Sequence, residues 1–274
     1  MKRWLFIFLT GFFGGLTVLA QSLPISKNEM RVTTDITLAS KYMLDGFQVG
    51  GDHPVWQLAG KVDLYDTGFA FMAWTAIQVE RSNKQFDEQD LFLLYSKDFL
   101  QDKSYTLNFH GYYDYWMFPN TDPVVDEFGE TVSTSVKQGN KFQLGFSLPK
   151  LISIADSFLI PSYNAYHWLY FAQDREDLDQ SGTYHELLAE YYKPTPIFIP
   201  GATYQYAGGT SSINYHEGAF DVDPGWSHST ASIVAGVYAL KSIFTISLNH
   251  QWSFEETVNP ENEFWSTFSY IKKF

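Results

Sequence analysis

The chain has no cysteine, which excludes disulfide bonds, thiolate metal sites and lipid attachment through a cysteine. It is also poor in basic residues, with 18 Lys and Arg against 31 Asp and Glu and a net charge of −13. A nucleic-acid partner needs a basic surface that contacts phosphates, so this charge balance argues against one. Beyond residue 20, the chain also lacks an apolar run long and continuous enough for a membrane helix.

The start of the chain has the three-part layout of a secretory signal peptide. Lys2 and Arg3 form a short positive region, residues 4–19 are apolar, and Ala20 ends a small-residue cleavage site ahead of Gln21. The sequence therefore predicts a signal peptide over residues 1–20, followed by a short periplasmic segment over 21–29. A single membrane anchor is the alternative.

The chain is rich in aromatic residues, which make up 18% of it, and in segments that alternate with a period of two. In residues 243–252, apolar side chains take every second position, and Thr, Ser, Asn and Gln take most of the positions between them. Residues 55–65, 105–117 and 184–192 alternate in a similar way. A helical period fits these segments less well, so the pattern predicts β-strands with one apolar and one polar face.

About twelve such segments follow one another, each near the length of a membrane-spanning strand. They begin near Met30, Pro54, Phe69, Glu88, Ser104, Lys141, Ser157, Gly182, Ala202, Trp226, Ile243 and Glu263. We predict an all-β fold, a closed antiparallel transmembrane β-barrel of about 12 strands over residues 30–274, with 10 to about 14 strands as the range.

The connections between these segments differ in length in a regular way. Short turns are expected at residues 66–68, 98–103 and 241–242. Longer polar loops are expected at residues 45–53, 81–87, 119–140, 173–181, 208–225 and 256–262. Short turns at one end and long loops at the other are typical of outer-membrane barrels. A soluble β-sandwich is the alternative fold, but it does not explain this asymmetry.

The last segment ends on an aromatic residue at the carboxyl terminus. Phe264, Phe268, Tyr270 and Phe274 fall on one face of the strand predicted from Glu263. A terminal amphipathic strand that closes on Phe is what the barrel assembly machinery of Gram-negative bacteria recognises. These residues are therefore the predicted assembly signal, and the cell outer membrane is the expected location.

Motifs near the start of the predicted barrel resemble a known family. The segment from Ser40 to Gly46 resembles the first-strand signature of the TorF-like porins, also called the Gcw_chp outer-membrane family, and Pro54 matches the Pro that opens the family's second strand. Later strands of the family resemble residues 68–76, 88–95 and 115–119. Asp45 departs from the pattern, because the family usually has Arg there. The resemblance implies an outer-membrane barrel that acts as a porin, and it brings no established substrate or catalytic residue.

If the apolar faces contact lipid, the polar faces line the barrel interior. The expected lining residues include Asp35, Lys41, Lys61, Asp63, Asn108, His110, Asp114, Glu186 and Glu190. Carboxylates in a pore favour cations, so Asp114, Glu186 and Glu190 are expected to favour passage of cations or neutral polar solutes. The alternative is that these carboxylates pair with Lys41 and Lys61 inside a filled barrel, since about twelve strands lie between filled and open barrels in size.

Two other functions compete with passive diffusion through a channel. An outer-membrane lipid hydrolase needs Ser and His side by side, with a third group that orients the His. Ser227 and His228 are adjacent, but neighbouring residues of a strand point to opposite faces, so the sequence predicts no enzyme. A structural or adhesive barrel that binds a ligand through the loops 119–140 and 208–225 is the other alternative.

The weak candidates for metal ligands are acidic residues of one predicted outer loop: Asp174, Glu176, Asp177 and Asp179. Calcium favours clustered carboxylates, but no Gly-anchored calcium loop is present, so a solvated acidic loop is the simpler interpretation. No cofactor is expected. The expected partners are outer-membrane lipid, lipopolysaccharide, the assembly machinery and small solutes, with no nucleic acid.

Overall fold

The alternating segments form strands in a computed structural model, which describes residues 5–7, 20–22, 29–100, 106–120, 124–125, 131–133, 138–154, 156–170, 181–218 and 222–274. The strands are β1 (Arg31–Ala39), β2 (Val55–Asp63), β3 (Phe69–Gln78), β4 (Glu88–Phe99), β5 (Leu107–Met117), β6 (Gln138–Ser147), β7 (Ser157–Tyr170), β8 (Gly182–Pro194), β9 (Ala202–Glu217), β10 (Gly225–Ala239), β11 (Ser242–Ser253) and β12 (Glu263–Lys273).

These strands form one closed antiparallel barrel of 12 strands. Each strand pairs with its neighbours in the sequence, and β12 pairs with β1 from Thr267 opposite Ala39 to Lys273 opposite Thr33. Closure leaves no strand edge in the sheet unpaired, which is what a barrel in lipid requires. The predicted fold class and strand count are therefore confirmed.

Several short elements lie outside the twelve barrel strands. Leu5–Ile7 pairs with Ala20–Ser22, and Val124–Val125 pairs with Thr131–Ser133. Ile152–Ile154 extends the sheet beside the start of β7, and Arg81–Phe86 forms a 3₁₀ helix between β3 and β4. Within the described residues, no helix has the length and apolar character needed to cross a membrane. Most of the predicted signal peptide lies outside the described residues.

The outer face of the barrel is apolar along its strands. Side chains at alternate positions are exposed, as in Leu144 on β6, Ile233 on β10 and Ile246 on β11. On β12, Phe264 and Phe268 are exposed, whereas Trp265, between them, is buried. The alternation thus places the apolar face of each strand outward and its opposite face toward the lumen.

The strand from Ala202 is longer than the sequence suggested. Residues 208–217, predicted as part of a loop, belong to β9, so that prediction was wrong. Gly208 stands directly opposite Tyr192 on β8, and a Cβ on Gly208 would collide with the Tyr192 ring. The aromatic ring covers the glycine and supports strand pairing, although glycine by itself disfavours a strand.

The connections that follow β1, β3, β5, β7, β9 and β11 lie at one end of the barrel, called the loop end, and include the longest ones; the others lie at the opposite end, called the turn end. The connection between β1 and β2, residues 40–54, is called the first loop. Its hairpin, Tyr42–Leu44 paired with Phe47–Val49, packs among buried residues of the barrel interior. The largest interior cluster includes Tyr42 and Leu44 from this loop together with Trp74, Tyr112 and Trp168 from the strands.

Candidate functional site

The first loop turns back at Asp45 and Gly46. Their φ angles are 47° and 95°, so both residues adopt the left-handed conformation of a tight hairpin turn. An Asp-Gly pair is favoured at these two positions, because Asp tolerates positive φ and Gly has no steric penalty there. The sequence therefore specifies a narrow hairpin with Asp45 at its tip.

This tip reaches the far wall of the lumen. Asp45 Oδ2 lies 3.4 Å from Lys141 Nζ on β6, and Tyr184 on β8 donates a hydrogen bond to Asp45 Oδ1. In a ring of twelve strands β7 lies opposite β1, so these partners flank the strand farthest from the loop's origin. Gln251 on β11 donates a 2.7 Å hydrogen bond to the Gly46 carbonyl oxygen. The first loop thus crosses the lumen at the loop end.

The base of the first loop is held by charge. Lys41 Nζ lies 2.5 Å from Asp52 in the same loop and 2.6 Å from Glu263 on β12. Burial disfavours the Lys41 ammonium, but its hydrogen bonds to both carboxylates outweigh this penalty and raise the pKa of Lys41. Nearby, Tyr42 donates a hydrogen bond to Glu88 on β4. Lys41 therefore anchors the loop at the rim of the barrel.

The carboxyl group at the tip belongs to a larger group of carboxyl side chains, the acidic cluster: Asp45, Glu88, Asp90, Asp114 and Glu186. Asp90 and Asp114 are both buried, and the Asp114 carboxyl has no hydrogen-bond partner among the described residues. Each residue of the cluster interacts electrostatically with the ammonium of Lys141. Several carboxyl groups thus share one buried cation.

The Asp45 carboxyl is the member of this cluster that belongs to the loop. Burial raises its pKa, and the Lys141 ammonium and the Tyr184 hydroxyl oppose that rise. The charged form of Asp45 is therefore stabilised inside the barrel mainly by contacts with the far wall. Lifting the loop tip would return this carboxyl to water.

The predicted lining residues divide into three groups. Asp114, Glu186 and Glu190 face the acidic part of the lumen, where Glu186 accepts hydrogen bonds of 2.9 Å from Asn164 and from Tyr166. Asn108 and His110 on β5 belong to a separate hydrogen-bonded chain, in which His110 contacts Asn108 at 3.0 Å and Asn164 at 2.8 Å.

The third group lies toward the turn end and the rim. Lys61 pairs with Asp63 along β2 at 2.9 Å, and Asp35 accepts a 3.0 Å hydrogen bond from Thr37 on β1. Lys41 lies in the first loop rather than on the wall. The expected alternative pairing of Lys41 and Lys61 with the central carboxylates is wrong, because each lysine pairs with a nearer carboxylate.

Sequence reasoning missed Lys141, Asp45, Glu88 and Asp90 as members of the site. Lys141 alternates with the outward residues Phe142, Leu144 and Phe146, so the period of two already assigned it to the interior. No comparable pattern could place Asp45, because it lies in a loop whose destination depends on contacts far away in the sequence.

A strand irregularity brings Ser227 and His228 together. Asn214 pairs with His228 and Tyr215 with Trp226, which leaves Ser227 as an extra residue on β10. The bulge places Ser227 Oγ 3.0 Å from His228 Nδ1, with both side chains buried. The expectation that alternation keeps this pair apart was wrong, because a bulge locally breaks the alternation. Ser227 also donates a 3.3 Å hydrogen bond to the Asn214 carbonyl.

The acidic residues Asp174, Glu176, Asp177 and Asp179 lie outside the described residues. In the part of the chain that the structure describes, no three His, Asp or Glu side chains come together in a group that could hold a metal ion.

Neither a family model nor a curated protein sequence matches the chain. Among solved structures, LpxR from Salmonella typhimurium is similar, with a TM-score of 0.53 and 11% identity over 88% of this chain and 99% of that one. An outer membrane channel from Pseudomonas putida F1 has a TM-score of 0.48 and 12% identity, over 92% of this chain and 97% of the channel. The KdgM porin in complex with disordered oligogalacturonate has a TM-score of 0.43 and 7% identity, over 89% of this chain and 98% of the porin.

At these identities the likeness shows the fold alone, which is that of the closed barrels of the outer membrane. The resemblance of residues 40–46 to the TorF-like porins stays a prediction. The site of this chain consists of the first loop and the acidic cluster that its tip joins.

Proposed function

We propose that the chain is an outer-membrane channel for small cationic or neutral polar solutes, and that the first loop is its gate. The apolar outer face supports the membrane location, because lipid-facing side chains of a barrel alternate with interior ones. The signal peptide over residues 1–20 and the recognition of β12 by the assembly machinery belong to the same proposal.

One observation carries the gating proposal: the first loop crosses the lumen and ends on polar contacts. Its tip is held by the Lys141 ion pair, the Tyr184 hydroxyl and the Gln251 amide. Each of these groups can exchange its loop partner for water when the tip lifts, so breaking these polar contacts costs less than their gross hydrogen-bond energy. Tyr42 and Leu44 of the same loop pack among apolar side chains of the interior, so lifting the whole hairpin also exposes buried apolar surface.

The charge of the wall supports a preference for cations. Removal of the first loop would expose Asp90, Asp114 and Glu186 to the lumen, with Lys141 beside them. Carboxylates that outnumber the cations of a narrow passage raise the local concentration of cations and exclude anions.

The experiment replaces Met43–Gln48 with Asn-Gly, since Tyr42 and Val49 are already paired and a two-residue turn can join them. In planar bilayers, the shortened protein should give frequent ohmic steps, with a reversal potential shifted toward cation selectivity. The full-length protein should be mostly silent. A matched point variant is Asp45→Ala, which should raise the open fraction, against Asp223→Ala, an exposed carboxylate at the loop end that should not.

A folded, shortened barrel that remains silent in every salt would contradict the channel and favour the other candidate, a permanently filled structural or adhesive barrel. The crossing of the lumen by the first loop is the observation that keeps this candidate open.

No catalytic step is part of the proposed function. Ser227 and His228 lie buried close to the first loop, and a Cβ on Gly46 would stand 2.5 Å from His228 Nδ1. We expect no ester or lipid hydrolysis by the full-length or the shortened protein. Turnover that disappears in His228→Ala would contradict this expectation.

A further inference from the structure

The ammonium of Lys141 lies among aromatic rings inside the barrel. Its Nζ is 4.4 Å from the ring centroid of Trp168, 5.5 Å from that of Tyr166 and 5.6 Å from that of Tyr112. Asp45 supplies a carboxylate at 3.4 Å. We call the three rings and Asp45 the ammonium cage. Aromatic faces attract cations through their quadrupoles, and more strongly where water is excluded.

The walls of the cage are held in place by their neighbours. Lys141 on β6 stands directly opposite Trp168 on β7 and opposite Asp114 on β5. Trp168 packs against Trp116 with ring centroids 6.0 Å apart. Tyr166 stacks on Tyr184 at 4.2 Å with nearly parallel rings. The rings therefore keep their positions independently of the side chain that occupies the cage.

The surroundings of the cage hold more carboxyl groups than the single Lys141 ammonium can pair with. Asp90 and Asp114 are 1% and 0% exposed, and both interact electrostatically with Lys141. The Asp114 carboxyl has no hydrogen-bond partner among the described residues. A buried carboxyl group without a partner is costly for a barrel that is only a scaffold. Its presence beside an aromatic cage indicates a place where a further cation binds.

The chemistry of the cage selects organic cations over metal ions. Three of the four groups of the cage present aromatic faces, which attract an organic ammonium group, whereas divalent ions need several oxygen ligands. An alkylammonium group bears three donors on a flexible stem, which is what the Lys141 side chain itself presents. Within the described residues, no group of three metal-ligating side chains competes with this assignment.

We infer that the ammonium cage is a transit site for solutes that carry a primary ammonium group, and that Lys141 occupies the site while the first loop is closed. This inference rests on the proposed channel, because such a solute reaches the cage when the tip of the loop leaves the far wall. The solute ammonium then replaces that of Lys141 against the rings, and the carboxylates of Asp90, Asp114 and Glu186 balance the second positive charge.

The test removes the resident ammonium. Lys141→Ala leaves the cage without its cation, and n-butylammonium chloride matches the missing side chain. Isothermal titration of the detergent-solubilised variant should show n-butylammonium binding about tenfold tighter than in the unchanged protein. n-Butanol at the same concentration, in sodium chloride of equal ionic strength, should not bind. Lys193→Ala, the same change at an exposed position at the end of β8, should behave as the unchanged protein.

Refolding of Lys141→Ala into detergent is carried out with and without n-butylammonium, since the variant leaves buried carboxylates uncompensated. Recovery of the heat-modifiable barrel with n-butylammonium but not with n-butanol supports the inference as directly as the titration. Equal affinity in the variant and the unchanged protein, or refolding that n-butylammonium does not improve, overturns it.

The titration tests the ammonium cage and the bilayer recordings test the channel, so each can give a negative result without the other. If the loop-shortened protein conducts and the Lys141→Ala variant does not bind n-butylammonium, the channel is supported and the ammonium cage is contradicted. A silent loop-shortened protein, together with tight binding of n-butylammonium, would leave a cation-binding barrel that is not a channel, which overturns the transit role.

Discussion

The two sides of the lumen are built from different polar chemistry. On the β11, β12 and β1 side, hydroxyl groups of neighbouring strands pair with one another: Thr37, which donates to Asp35, shares a 2.7 Å hydrogen bond with Ser269, and Ser247 and Thr267 share one of the same length. We call this the neutral side. Its partners lie on adjacent strands, so forming the sheet is enough to form the bonds.

The opposite side, on β4 to β8, contains the acidic cluster and the ammonium cage, and we call it the charged side. Its carboxyl groups depend on Lys141 and on a loop that crosses the lumen, and the Asp114 carboxyl has no hydrogen-bond partner among the described residues. We interpret the neutral side as part of the wall, and the charged side as the place where the proposed solute binds and leaves. Substitutions on each side measure how far the two differ.

The largest effect is expected for Lys141→Met, which keeps the length of the side chain and removes its charge. Breaking a buried ion pair leaves carboxylates uncompensated and should lower the free energy of unfolding by about 3–5 kcal/mol. Urea unfolding of the detergent-solubilised barrel measures this loss. Lys193→Met, on an exposed position, should stay within about 0.5 kcal/mol of the unchanged protein. Equal stability of the two variants would contradict the claim that Lys141 compensates the buried carboxylates of the charged side.

A smaller effect is expected for Trp168→Leu. The variant loses packing against Trp116 and the ring nearest the Lys141 ammonium, which together should cost about 2–3 kcal/mol. The matched control is Trp252→Leu, because Trp252 lies on the outer face of β11 and is 43% exposed. A loss in the control as large as in Trp168→Leu would show that the cage adds nothing to ordinary packing.

On the neutral side, Thr267→Val should cost only about 1 kcal/mol, since it removes one neutral hydrogen bond and keeps the shape of the side chain. Ser247 then retains the hydrogen bond that it accepts from Asn249 at 2.9 Å. Thr267→Ser, which keeps the hydroxyl, is the control. If Thr267→Val lowers the free energy of unfolding nearly as much as Lys141→Met does, the two sides do not differ in the way described.

The smallest effect is a dependence of gating on pH. Burial raises the pKa of Asp45 in the closed form, so the closed form binds a proton more tightly than the open form does. Closure is therefore favoured fully below the ordinary carboxyl pKa of 3.8, and this contribution is lost as the pH rises through the raised pKa. The ratio of closed to open protein therefore falls as the pH rises through this range.

The charged and titratable groups that interact with Asp45 are Tyr42, Glu88, Tyr112, Asp114, Lys141, Tyr166, Tyr184 and Glu186. The open fraction in bilayers should increase with pH in the unchanged protein and in Asp223→Asn, and the increase should be smaller in Asp45→Asn. An open fraction that falls with rising pH would contradict the assignment of Asp45.

Much of the barrel could be predicted from local patterns. The alternation around Ile243 and the short turn at Lys241 depend on neighbours in the sequence, and the strands begin within about three residues of the predicted starts. The extent of β9 could not be predicted, because Gly208 and Gly209 disfavour a strand until Tyr192 covers Gly208 from across the sheet.

The candidate site could be predicted only in part. Asp114, Glu186 and Glu190 were assigned to the interior by alternation. The contact between Asp45 and Lys141 joins residues 96 positions apart, and no local signal relates them.

The most direct measurement asks whether the first loop closes the lumen. The chain has no cysteine, so Gly46→Cys with His228→Cys introduces one thiol pair across a close contact, in which a Cβ on Gly46 would lie 2.5 Å from Nδ1 of the replaced His228 ring. If the loop is the gate, the oxidised protein is silent in planar bilayers and a reductant produces cation-selective ohmic steps. Equal conductance of the oxidised and reduced forms would contradict gating by the first loop.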